Sequence, residues 1–426
     1  MRVAMSPLDL PVAEGESPRP VLLVLSHLRW DFVFQRPQHL LTRAARCCDV
    51  YFVEEPIFEG SVLSQRNLAR ENGVTVVQPL VPHGTSEADI LFHQGDIAEA
   101  IADTAAGRSV YLWYYTPMAY AFGHRVDADV VIFDKMDELS AFDYAPPQLR
   151  VLESLLLDRA DVVFTGGASL QRAAQDRHAN IHCFPSSIDI DHFGTARAKL
   201  PEPPDQAAIP YPRIGYFGVV DERLNLSLIA EMAAARPDWQ FVMVGPTAKI
   251  DPASLPQAPN LHWLGGRRYA DLPNYMAHWD LGFMPFALNN ATRFISPTKT
   301  PEFLAAGLPL LSTPIHDVAE PYGTMGLVEI AATAAQMMSA GGKALAERGD
   351  AAQERVRLAM VDSFLAGGSW DRTWADMHAH VRKIAAIGQK TPVAATIDPQ
   401  PVTPTIVVRP APVASVAQPA PVSAGV

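Results

Sequence analysis

The stretch SPTKTPEFLAAGLPLLS, residues 296–312, decides how the second half of this chain is read. Pro297 and Thr298 open a short helix, Glu302 stands in its first turn, Gly307 ends it, and Pro309-Leu310-Leu311 leads into a buried strand. A carboxylate so placed can accept two ribose hydroxyls. The unpaired amides of a helix start carry partial positive charge and can hold a diphosphate. Lys299 adds a full charge beside them, so one element is suited to both halves of a nucleotide diphosphate. The bland reading of Glu302 is a carboxylate that only complements the helix dipole, worth about 1 kcal/mol or less. For Lys299 it is a solvated side chain, with Arg293 as the competing cation.

Outward from this stretch, short β-rich apolar runs alternate with helical ones, the pattern of parallel α/β domains. Strands are expected at 21–26, 50–54, 74–77, 110–115, 130–134, 162–165 and 181–184. Helices between them include 37–45, 148–158 and 170–177. The segment PEPPDQAAIPYP, residues 201–212, carries too many prolines for a helix or a central strand and reads as a linker. The pattern then restarts, with strands at 214–217, 241–244, 261–264, 281–285, 310–313 and 328–330 and helices at 224–235, 272–279 and 297–306. Long helices follow at 350–366 and 369–387. The expected layout is a flexible N-terminus at 1–19, an α/β domain at 20–200, the linker at 201–212 and a second α/β domain at 213–345. Helices at 346–388 come next, and last a Pro/Ala/Val tail at 389–426 with too little to bury against its chain entropy, read as disordered.

Composition narrows the function. A chain of 426 residues with 48% hydrophobic content can bury two cores, and its net charge of −12 argues against a general nucleic-acid surface. Three cysteines, Cys47, Cys48 and Cys183, give neither a disulfide framework nor a zinc spacing, which fits a reducing cytosol. The first twenty residues lack the apolar core of a signal peptide, and no later run reaches membrane-span length. A soluble cytoplasmic protein is expected, with peripheral contact at the inner membrane face left open.

In parallel sheets, ligands sit outside the carboxyl ends of strands. After the strand at 214–217 comes Gly218-Val219-Val220-Asp221-Glu222-Arg223. The glycine allows backbone to approach a phosphate, and the planar fork of Arg223 matches phosphate oxygens. The alternative is that Arg223 pairs with Asp221 or Glu222. Gly265-Gly266-Arg267-Arg268-Tyr269 follows another strand and reads equally as a base contact or a basic surface turn. In the first domain, the long loop from Ser26 to Pro37 mixes His27, Arg29, Trp30, Asp31 and Arg36 with aromatics, a blend that suits a sugar acceptor. A second cluster, Asp134 to Ser140, supplies three carboxylates. His27, Asp31, Asp134 and Asp137 are the candidates for a general base. The pairs Asp127/Asp129 and Asp189/Asp191 match a metal-binding Asp-x-Asp pattern no better than chance among 46 acidic residues. No metal and no cofactor are expected, and the missing G-x-G-x-x-G after the first strand argues against a nicotinamide enzyme.

Residues 302–309, EFLAAGLP, resemble the signature of glycosyltransferases with the two-domain GT-B fold, in particular family 4, with family 1 as a near relation. That signature pairs two glutamates eight positions apart, and here the first position is Phe294. The Lys-containing form PTKTPE is found in a branch that builds bacterial surface polysaccharides. The resemblance implies two Rossmann-like parallel-sheet domains facing across a cleft and a metal-independent hexosyltransferase. A sugar would pass from a nucleotide-diphosphate donor to a glycan or lipid-linked acceptor. With it, donor contacts are expected at Gly218, Arg223, Arg293, Pro297, Thr298, Lys299, Thr300 and Glu302, and the resemblance implies a retaining outcome in which the donor phosphate itself assists. A sugar-nucleotide epimerase and a non-catalytic scaffold remain the other readings.

Overall fold

The computed structural model describes residues 18–388 apart from Tyr144 and Gly349. Nearly all of the expected flexible N-terminus and the Pro/Ala/Val tail lie outside the described residues. The first sheet comprises β1 (Val21–Leu25), β2 (Asp49–Val53), β3 (Ile57–Phe58), β4 (Ser64–Ala69), β5 (Val74–Val81), β6 (Val110–Tyr114), β7 (Val130–Lys135), β8 (Val162–Thr165) and β9 (Ile181–Cys183). Its order is β3-β5-β2-β1-β6-β7-β8-β9, parallel throughout, with β4 antiparallel to β5 at the side. The second sheet comprises β10 (Arg213–Phe217), β11 (Gln240–Val244), β12 (Leu261–Gly265), β13 (Leu281–Met284), β14 (Leu310–Ser312) and β15 (Glu329–Ile330), in the parallel order β12-β11-β10-β13-β14-β15. Strands such as VLLVL and VYLWY are apolar on both faces because helices cover both faces of the sheet.

In both sheets the strand order reverses beside the first strand, between β1 and β6 and between β10 and β13. Loops diverge at such a point and open a crevice at the carboxyl ends. The two crevices face each other. Interdomain contacts border them: Phe34 packs on Tyr269 with ring centroids 4.6 Å apart, the Asp143 amide donates to Glu222 Oε1 at 3.2 Å, and the Ser169 amide donates to Asp317 Oδ1 at 3.2 Å.

The proline-rich segment 201–212 joins the sheets without adding a strand. Arg213, buried at the head of β10, fastens it by donating to the Ile209 carbonyl, pairing with Glu202 and lying 4.1 Å from the Tyr211 ring centroid. At the other end of the chain, the helix Ala351–Leu365 lies on the second domain, and the helix Trp370–Gly388 returns to the first. Trp370, Trp374, Met377 and Val381 enter the first domain's core. Trp374 meets Trp113 at 6.2 Å, Trp370 stacks on His39 at 4.5 Å, and Asp371 pairs with Arg43 and Arg46.

Several elements differ from the sequence reading. Strands β3 and β4 were not expected, and the helix Glu87–Asp103 was not among those named; SQRNLA in β4 is a polar, exposed edge with no alternation to betray it. The helix expected at 297–306 spans only Lys299–Ala305, because Thr298 is its cap and Pro297 precedes it. Strand β7 runs on to Lys135, so Asp134 and Lys135 are buried strand residues and not loop residues. Inside, Asp134 meets the fork of Arg36 at 2.9 and 3.0 Å, and Arg36 also donates to the Phe184 carbonyl at 2.6 Å. Burial works against the guanidinium, yet Asp134 more than offsets it and holds the pKa of Arg36 above its ordinary value. Among the described residues, no helix is long and apolar enough to cross a membrane.

Replacing Arg36 by alanine strands the Asp134 carboxylate in the interior without its counter-ion. Arg36→Ala is expected to cost about 3–5 kcal/mol of stability in urea unfolding, and a cost below about 1 kcal/mol would contradict the role given to this pair.

Candidate nucleotide-binding cleft

The floor of the second domain's crevice is backbone. The Gly218 amide donates to the Val244 carbonyl, Val220 to Pro246 and Ala248 to Val220, so the loops after β10 and β11 are knitted together. Gly245 has φ +156°, and a Cβ there would sit 1.8 Å from the Gly218 oxygen. Gly218 has φ +127°, and a Cβ on it would lie 2.0 Å from Lys299 Cε. Only glycine fits either position. The space above Gly218 is filled by the stem of Lys299, whose ammonium lies 6.0 Å from the Tyr216 ring centroid.

Glu302 stands one turn along the same helix and is 8% exposed. Burial pushes its carboxyl well above the usual range, and Lys299 only partly counteracts this. Burial likewise lowers the Lys299 ammonium, with Arg223 adding repulsion and Glu302 and Asp221 opposing it. Arg223 forms a forked pair with Asp221, at 2.9 Å from Nε to Oδ1 and 2.6 Å from Nη2 to Oδ2. Burial opposes the Arg223 charge, but Asp221 overcomes it and raises the pKa. The pairing weighed as the bland alternative is therefore present. It sits inside the cleft, however, not on a solvated turn.

The other residues expected to contact a donor divide. Thr300 is fully buried with its hydroxyl 3.7 Å from the Met284 sulfur, so its side chain belongs to the core. Pro297 and Thr298 are half-buried at the helix start. Arg293 is exposed over the Phe294 ring, in an interdomain cleft of about 710 Å³ that it shares with Ser169, Arg172 and His316.

The first domain faces this floor with its own loops. Asp137 lies near Arg223, Asp221, Lys135 and Lys249, makes no side-chain hydrogen bond or ion pair among the described residues, and has its carboxyl raised by burial. The other two carboxylates of that cluster are committed, Asp134 to Arg36 and Glu138 to Lys135 at 2.9 Å. His27 is half-buried, its Nδ1 has no partner, and burial together with the Lys249 charge lowers its pKa to about 4. It is a neutral imidazole at physiological pH.

The expected acceptor quartet is occupied by protein contacts. Arg29 donates to Glu54 and to the carbonyls of Glu55 and Pro56. Trp30 is a core residue edge-on to Phe52 at 5.1 Å, Asp31 pairs with Arg70 at 2.5 Å, and Arg36 is inside with Asp134. Of the basic turn 265–269, Arg267 pairs with Asp205 and Arg268 with Asp271, while Tyr269 packs against Phe34 and His192.

Two cleft residues, Lys249 and Phe142, escaped the sequence reading. Lys249, in the loop after β11, is exposed with φ +62° and stands 5.4 Å from the Phe142 ring centroid; Arg223 lies 5.8 Å from the same ring. The rule that ligands meet loops at strand carboxyl ends would have found Lys249 in GPTAK, directly after the strand expected at 241–244.

Comparison with known proteins agrees with the fold. Residues 211–346 match the family model described as Glycosyl transferases group 1. The Bacillus subtilis (strain 168) protein TuaH, named as a teichuronic acid biosynthesis glycosyltransferase, is 25% identical over 229 residues, 49% of this chain and 57% of its own length. The chain thus spans little more than half of that relative. Sucrose-phosphate synthase from Thermosynechococcus elongatus superposes with a TM-score of 0.62 at 13% identity, covering 87% of this chain and 100% of that one. Anabaena Alr3699/HepE in complex with UDP and glucose gives 0.60 at 16% identity, covering 86% and 100%. An Escherichia coli trehalose-6-phosphate structure with UDP-2-fluoro glucose gives 0.59 at 11%, covering 85% and 98%. Over residues 211–346 the chain matches the group 1 glycosyl transferases, and the described molecule as a whole has the two-domain GT-B fold.

Proposed function

We propose that this protein is a glycosyltransferase that moves a sugar from a nucleotide-diphosphate donor to a glycan or lipid-linked acceptor in cell-surface polysaccharide synthesis, acting in the cytosol or at the inner membrane face. The observation that carries this reading is the buried Lys299–Glu302 pair over the Gly218 backbone, beside Arg223. Glu302 accepts the ribose hydroxyls. The diphosphate lies beside Gly218, where the Lys299 ammonium meets its oxygens. As the bond from the sugar to the diphosphate breaks, negative charge grows on the leaving group, and these fixed donors stabilise what develops. Arg223 shares its charge with Asp221 and serves as a preformed wall. No divalent ion is called for, because side chains supply the positive charge.

Asp137 and neutral His27 stand across the cleft, and either is suited to take the acceptor hydroxyl's proton. If the donor phosphate takes that proton instead, as a retaining course allows, replacing Asp137 or His27 singly has a mild effect. An epimerase would change the donor sugar without any acceptor, so incubating donor alone distinguishes the two activities. A scaffold would bind donor and yield no product with any acceptor.

A thermal-shift panel of UDP, GDP, ADP and TDP identifies the base, since a ligand that binds only the folded state raises its melting temperature. With the best of these, Glu302→Ala is expected to weaken binding about 30-fold in calorimetry with the fold intact, the worth of two ordinary hydrogen bonds. Unchanged affinity would remove the ribose role. Gly218→Ala, which drives a methyl into the Lys299 stem, is expected to cost about tenfold or more in the same titration.

The pKa directions give a pH signature. Lys299 is lowered, so it loses its charge below the free-lysine range; Glu302 is raised, so it gains its charge late. Both changes make the site more negative as pH rises through the alkaline range. Affinity for the nucleotide diphosphate should therefore fall there, and Lys299→Arg, which keeps its charge, should flatten the fall. An affinity independent of pH between 7 and 10 in the unmodified protein would contradict this account.

A further inference from the structure

Cys47 and Cys48 follow the helix Arg36–Ala44 in a tight turn, both amides donating to the Ala44 carbonyl. Their sulfurs are 3.8 Å apart, and Nδ1 of His378, from the helix Trp370–Gly388, lies 3.9 Å from Cys47 Sγ. All three ligand atoms fall within 4.8 Å of one another. Zinc–sulfur bonds of about 2.3 Å and zinc–nitrogen bonds of about 2.0 Å at tetrahedral angles require ligand separations of about 3.5–3.8 Å. The cluster already stands close to that shape.

The surroundings hold it there. Arg19 donates to the carbonyls of Ala45, Arg46 and Cys48, which fixes the turn. The His378 ring lies parallel to Trp374, with centroids 5.0 Å apart at 15°, which fixes its plane. Cys48 is fully buried and Cys47 half-buried, so an ion would be shielded on one side and reachable from the other. The other cysteine, Cys183, has no part in the cluster.

We propose that Cys47, Cys48 and His378 form a binding site for a single soft d10 ion of the zinc type, two thiolates and one neutral imidazole closing three positions and water the fourth. Binding displaces two thiol protons and leaves the imidazole uncharged. The ion bridges the end of the first domain's first helix to the helix that returns from the second domain, and so pins that helix to the first domain's core. The site shares no residue with the donor cleft, so failure of this proposal would leave the reading of the protein as a transferase untouched.

The full chain, reduced with a phosphine and stripped by a chelator, is titrated with Zn²⁺ by calorimetry and with Cd²⁺ by the ultraviolet thiolate-to-metal absorption. One ion per chain, a melting temperature raised by added Zn²⁺, and affinity reduced about tenfold or more in both Cys47→Ser and His378→Gln support the site. Cys183→Ser should bind as the unmodified protein does. Absence of the cadmium–thiolate band, a stoichiometry well away from one, or full affinity in His378→Gln would overturn it; the last would mean that the thiols alone capture the ion.

Discussion

A lysine stem lying directly on a glycine is the contact from which the second domain's side of the cleft is built. Lys299 can reach the floor because Gly218 has no Cβ, and Gly218 can hold its φ of +127° because the loop carrying Gly245 presses on it from behind. The ammonium is thereby placed under partial desolvation beside Arg223, and two adjacent cations could not be buried without relief. Asp221 gives that relief to Arg223, and Glu302 gives part of it to Lys299. The result is a site with one committed cation and one responsive one. The responsive one is free to answer an anion.

The opposite wall is held by different means. Its loops rise from a sheet whose interior contains the satisfied Arg36–Asp134 pair, and the helix Trp370–Gly388 covers that pair with Met377. Because the returning helix contributes Trp370 and Trp374 to the first domain's core, the second domain's chain is an integral part of the first domain. Cleft geometry is thus tied to helix docking, and contacts such as Phe34 on Tyr269 and Ser169 on Asp317 border the opening on either side. The cluster of Cys47, Cys48 and His378 sits within this same docking surface.

Much of the architecture was legible along the chain. Strands buried on both faces, such as VLLVL, announce themselves as continuous apolar runs, and PTKTPEFLAAGLPLL carries its helix punctuation and its charges within a few residues. Edge strand β4 was invisible because an exposed strand needs no apolar pattern. Among the site residues, those on one local element, Lys299 and Glu302, were found together. Those whose partners come from far along the chain were misplaced: Asp134 looked like a loop carboxylate until Arg36, 98 positions away, met it inside the sheet.

Sequence by itself determined the alternation of strand and helix, the break at the proline-rich segment, and the pairing of a cation with a carboxylate at one helix start, since each is encoded by neighbours within a turn or a strand. Which charges remain available to a ligand was decided only by the tertiary structure. A carboxylate's availability depends on what folds against it, so Asp137 and His27 were separated from Asp134, Arg29 and Asp31 by long-range pairing that no local pattern records. The same holds for His378, which lies 331 residues from Cys47 in the chain and 3.9 Å from it in the fold.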